Sequence, residues 1–114
     1  MRDFLKYDIW KDGIETSTKI YSLTKSFPAD EKFGITSQVR RASVSIVSNF
    51  AEGCSSEKDF KRFIEIALGS AFELKTQLII AGRLKYINEG DLNLLIESID
   101  KSSKQLNSLR NKLK

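Results

Sequence analysis

The chain has 114 residues, 40% apolar and 30% charged, with 19 Lys and Arg, 15 Asp and Glu, one Cys and no His. That length carries a single domain, residues 1–114; the composition is too apolar for a disordered chain and too interrupted by charge for a membrane span of about 20 apolar residues. The lack of His removes HExxH zinc sites, Ser-His-Asp triads and Cys-His pairs, and one Cys allows neither an internal disulfide nor a CxxC metal knuckle. Met1-Arg2-Asp3-Phe4-Leu5-Lys6 has no apolar leader, so the expectation is a cytoplasmic, non-enzymatic protein.

Scarce Gly and Pro with sustained 3.6-residue periodicity predict an all-α chain. A first helix is expected over residues 7–26, ended by Phe27-Pro28. Its apolar stripe is at Trp10, Ile14, Ser17 and Tyr21, with Ile9, Ile20 and Leu23 beside it and Gly13 a weak spot open to a close helix approach. Pro28 suits the first turn of a short segment that follows. A second helix is expected over residues 36–52, capped by Thr36 or Ser37 and closed near Gly53. One of its faces holds Ile35, Val39, Ala42, Ser43, Ile46 and Phe50; a second holds Arg40, Val44, Val47 and Ala51. Its polar side carries Gln38, Arg41, Ser45, Ser48, Asn49 and Glu52.

Ser56 and Asp59 have capping-box spacing at the start of a third helix that runs to about residue 86. Phe60, Ile64, Ala67, Ala71, Leu74, Leu78 and Ala81 alternate by four and three, the seam of a left-handed bundle. Leu68, Phe72, Ile79 and Tyr86 form a second stripe about 100° away. After a turn at residues 88–91, a fourth helix over residues 91–112 buries Leu92, Leu95, Ile96, Ile99, Leu106, Leu109 and Leu113. Four such helices joined by short turns predict an antiparallel up-and-down four-helix bundle. The surplus stripes predict self-association, with Val44, Val47, Leu68, Phe72 and Ile79 as the candidate interface.

Candidate chemistry is sparse. The six glycines are scattered, so no phosphate-cradling loop is present. Glu65, Glu73 and Glu97 fall on solvated helix faces, and a di-metal carboxylate bundle would lack its Glu-x-x-His ligands, so no metal or cofactor is expected. Cys54 has no accompanying base and reads as a spectator thiol, and Ser43 of the Arg40-Arg41-Ala42-Ser43 run faces the core. Gln38, Arg41, Ser45, Asn49 and Glu52 read as a structural polar segment whose charges find partners on another helix or subunit. The charge is uneven: Lys101, Lys104, Arg110, Lys112 and Lys114 stand in an acid-free tail, leaving 14 basic against 15 acidic residues in positions 1–100. With Arg40, these five are the candidate nucleic-acid contacts; the alternative is a tail that favours the helix dipole and solubility.

The segment Phe27-Pro28, Glu31, Phe33-Gly34-Ile35-Thr36-Ser37-Gln38-Val39-Arg40-Arg41-Ala42, followed by Ser45-Ile46-Val47-Ser48-Asn49-Phe50-Ala51-Glu52-Gly53, resembles the four-helix proteins associated with intervening sequences of bacterial 23S rRNA genes. Phe60-Lys61-Arg62-Phe63-Ile64-Glu65-Ile66-Ala67-Leu68-Gly69-Ser70-Ala71-Phe72-Glu73-Leu74, Gln77-Leu78 and Lys85-Tyr86-Ile87 continue the pattern. Phe50 and Ala71-Phe72 depart from it, standing where the family usually has Ile and Leu. The resemblance implies a homopentamer, and kinship with the accessory bundle protein of diversity-generating retroelements, which implies RNA or DNA and a reverse transcriptase as partners. The rival expectation is a protein-interaction scaffold with no nucleic-acid role.

Overall fold

The computed structural model describes residues 2–113. A 3-10 turn at Phe4–Lys6 leads into α1 (Asp8–Thr24), and a second at Ala29–Glu31 precedes α2 (Ile35–Cys54). Two longer helices follow, α3 (Phe60–Arg83) and α4 (Glu89–Asn111). The described residues are all-α, and the rod they form measures 43 × 23 × 20 Å. Each helix packs on two neighbours, α1 on α2 and α4, α3 on α2 and α4, with no diagonal pairing. This is the bundle the periodicity predicts.

The α3 seam is wholly inside: Phe60, Ile64, Ala67, Ala71, Leu74, Leu78 and Ala81 are all buried. Val39, Ala42, Ile46 and Phe50 of α2 and Leu95, Ile99 and Leu106 of α4 close on it. Tyr7 meets Phe50 edge-on at 5.1 Å, and Phe50 meets Phe60 at 6.4 Å, so one aromatic chain runs from the α1 entry to the α3 start. Serines fit between the helices where the stripes weaken. Ser17 and Ser43, both buried, share a hydrogen bond at 3.1 Å, and Ser43 also donates to the Arg40 carbonyl.

The stripe of α1 is rotated from its expected place. Ile9, Gly13, Ser17, Ile20 and Thr24 point inward, while Ile14 and Tyr21 are exposed. Gly13 permits this rotation, because a Cβ there would overlap Val47 Cγ1. Only a glycine lets the Val47 side chain sit that close to α1. Val47 is therefore spent inside the protomer, as is Leu68 of α3, and neither is surface for another chain. Val44, Phe72 and Ile79 of the expected interface are exposed.

Helix ends differ in detail. Gly34, not Thr36 or Ser37, is the N-cap of α2; Thr36 is buried in the first turn with its hydroxyl unpartnered, and Ser37 donates back to the Gly34 carbonyl. The Ser56 hydroxyl accepts from the Asp59 amide as the capping spacing predicts, although regular helix starts at Phe60. The third helix stops at Arg83, short of Tyr86. Lys85 turns to φ 67°, its amide donates to the Gly82 carbonyl and the Tyr86 amide to the Ala81 carbonyl, a Schellman end. Tyr86 thereby leaves the α3 stripe, packs 5.6 Å from Phe27 and donates its hydroxyl to Glu31 at 2.9 Å. Asn88, whose side chain accepts from the Asp91 amide, starts α4 two residues early.

Candidate nucleic-acid interface and outer helix faces

The six candidate phosphate contacts part company in the structure. Arg40 lies against α1: its Nε donates to Thr24 Oγ1 at 2.8 Å, Nη2 reaches the Tyr21 carbonyl, and the guanidinium stacks 4.8 Å from the Tyr21 ring. A fork held by three partners ties helices together and is not a free phosphate grip. Lys101 lies 3.2 Å from Asp12 Oδ2, an ion pair across α1 and α4. Arg110 is half-buried and donates to the neutral Asn107 side chain, whereas Lys104 and Lys112 are exposed, without an acidic partner among the described residues. Lys114 lies outside the described residues.

Beside Lys101 and Lys104 the α1 and α4 surfaces leave an open groove of about 1100 Å³. Its walls carry Asp12, Glu15, Glu97 and Asp100 against Lys19, Lys101 and Lys104, a mixed lining that does not select for phosphate. Asp100, at the rim of that groove, is also paired with Lys75 of α3 at 2.8 Å. At the next level of the bundle, Lys104 and Lys112 flank a smaller hollow with Tyr7, Gln105 and Ser108.

The polar segment of α2 divides in two. Ser45 and Asn49 are half-buried and bonded: Asn49 Nδ2 donates to the Ser45 carbonyl and hydroxyl, and the Ser45 hydroxyl pairs with Ser70 of α3 at 2.9 Å. Gln38, Arg41 and Glu52 are exposed. The expectation that the Arg41 and Glu52 charges find partners on another helix is not met among the described residues of the protomer, where both side chains are exposed. Cys54 is buried, and burial pushes its thiol pKa up, with the nearby Arg2 charge opposing that. A thiol so held stays protonated and unreactive at neutral pH.

These residues sit on a scaffold that can now be placed among known proteins. A family model for the 23S rRNA-intervening sequence protein matches residues 5–108. The chain belongs to that family. Among solved structures, it is similar to a protein with unknown function from the S23 ribosomal protein family of Bacteroides thetaiotaomicron. The two superpose with a TM-score of 0.81 at 25% identity, over 90% of this chain and 95% of that one. No curated protein matches it.

In this member of the 23S rRNA-intervening sequence family, sequence reasoning missed the residues that decide which cations are free. Thr24 accepts from Arg40, Asp12 engages Lys101, and Asp100 engages Lys75. It also missed Arg2, whose amide donates to the Cys54 carbonyl while its guanidinium stacks 3.7 Å from the Phe60 ring and pairs with Glu57. No local pattern marks such pairs, since each joins residues far apart in the chain.

Proposed function

We propose that this family member is a non-catalytic homo-oligomer that grips RNA or DNA backbone through the C-terminal end of α4. The observation that carries the reading is the acid-free stretch after Asp100, with Lys104 and Lys112 exposed and Arg110 bonded to a neutral amide. Flexible cations at a helix end contact phosphates without reading base edges. A ring of five, as the resemblance implies, would repeat a weak contact, and simultaneous engagement can raise avidity by orders of magnitude. A reverse transcriptase partner belongs to the same kinship. The groove between α1 and α4 supports a second reading, a scaffold that docks a protein, because its acids and bases are interleaved.

Titration with single- and double-stranded RNA and DNA at low salt separates the two. The first reading expects binding that weakens steeply with salt and shows little sequence preference. Neutralising Lys104, Arg110 and Lys112 together should lower the salt slope by about 0.7–0.9 per lost contact. No binding by the unmodified protein at low salt would leave the scaffold reading in its place.

A further inference from the structure

The smaller hollow, between the start of α1 and the last turns of α4, differs in chemistry from the groove beside it. Tyr7, Ile9 and Leu109 make it apolar, Gln105 and Ser108 add polar side chains, and Lys104 and Lys112 complete its lining. None of these residues is acidic, whereas the groove carries four carboxylates. Asp8 follows Tyr7 in the chain but does not line the hollow.

Lys104, Ser108 and Lys112 recur every four residues, so they form one line along α4, with the two lysine backbones about 12 Å apart. Tyr7 is half-buried, and Phe50 meets its ring edge-on at 5.1 Å, which braces it. Gln105 is half-buried as well, and its side-chain oxygen is buried with no hydrogen-bond partner among the described residues. The order along this line is cation, partly apolar floor, cation. A nucleic-acid strand carries the complement in the same order: phosphate, base, phosphate. In a duplex the base faces are stacked on one another and the floor receives nothing, whereas an unpaired base can lie on it. Aromatic surface bordered by cations holds single strands with little regard to sequence, because every base has a π-face.

We infer that this hollow seats one unpaired nucleotide of a single strand, its base against Tyr7 and Leu109 and its flanking phosphates on Lys104 and Lys112. The Gln105 amide is the polar group of the hollow that meets the base edge. The inference rests on the backbone-grip reading above and narrows it, from any RNA or DNA to a strand with an unpaired base.

Fluorescence anisotropy at low salt tests it with three probes of equal phosphate number: a deoxythymidine oligonucleotide, an abasic strand and a hairpin duplex. The unmodified protein should bind the deoxythymidine strand at least about tenfold tighter than the other two, the order expected of one base stacked on an aromatic side chain. A uridine strand alongside assigns the sugar. Ser108→Leu fills the hollow from an exposed position, and should bring the deoxythymidine strand down to the abasic affinity while leaving abasic binding and its salt slope unchanged. Tyr7→Leu keeps an apolar side chain against Phe50, removes the aromatic face and should lower the preference severalfold. Circular dichroism checks that each variant is folded. Equal affinity of the unmodified protein for all three probes, or an unchanged preference in either folded variant, overturns the inference and leaves the backbone-grip reading standing. No binding of any probe overturns both.

Discussion

Two seams of the same bundle are built differently. Between α2 and α3, small and apolar residues interdigitate over the whole length: Val39, Phe50, Ile64, Ala67, Ala71 and Leu74 are excluded from solvent, and Ser45 bonds Ser70 across the outer edge. Between α1 and α4 the helices stand apart over a groove of about 1100 Å³, bridged by the Lys101–Asp12 ion pair. The difference comes from side-chain size. Ala42 and Ser45 on α2 and Ala67, Ser70 and Ala71 on α3 let those helices approach, while charged side chains along α1 and α4 line the gap between them. Stability should therefore be concentrated in the first seam, and adaptable surface in the second.

The largest test of that contrast is Phe50→Ala. The ring is fully buried between Tyr7 and Phe60, and its loss should cost about 3–5 kcal/mol in urea unfolding. A cost below about 1 kcal/mol would mean the α2–α3 side is not where the stability lies. Gly13→Ala should come next, at about 1–3 kcal/mol, because the added methyl must displace Val47 and push α1 from α2. A neutral result would show that α1 can shift, extending the loose character of the groove to both of its seams. Ser43→Ala strands the buried Ser17 hydroxyl and should lower stability by about 1 kcal/mol, read from thermal melting. The smallest effect belongs to the groove. Lys101→Ala breaks an ion pair whose lysine is 64% exposed, so the cost should stay under about 1 kcal/mol and shrink in high salt.

One pH effect separates the seams as well. The Cys54 thiol, raised by burial at the α2 end, is easier to keep protonated in the folded chain than in the unfolded one. Its contribution to stability is complete below the unfolded thiol pKa and is lost as pH rises through the raised folded value. Unfolding midpoints should accordingly fall on the alkaline side in the unmodified protein and fall less in Cys54→Ala. Equal alkaline losses in the two proteins would remove the thiol from the account.

Much of the fold was legible because helical periodicity is local. The 4-3 alternation from Phe60 to Ala81 placed every inward residue of α3 except Leu68, and the α4 spacing placed Leu95, Ile99 and Leu106 but not the buried Ser102. The first helix was harder to read. Trp10, Ile14 and Tyr21 are large and apolar, yet the inward line runs through Gly13, Ser17 and Thr24, since close approach to α2 outweighs the burial of bulk. The candidate site was legible only in part. The acid-free tail could be read from composition, but the role of Arg40 could not, because Thr24 and the Tyr21 ring reach it from another helix.

The sequence by itself determined that this protein is helical, where its helices lie to within a few residues, and that it belongs to the 23S rRNA-intervening sequence family. Each of those follows from residue type and short-range spacing, which act along a single segment of chain. Tertiary structure alone decided which of the basic residues are tied down and which apolar stripes are used up inside the protomer. Those outcomes depend on how far each helix is rotated about its own axis against its neighbours. That rotation is set by the summed packing of all four helices, so no single stretch of sequence contains it.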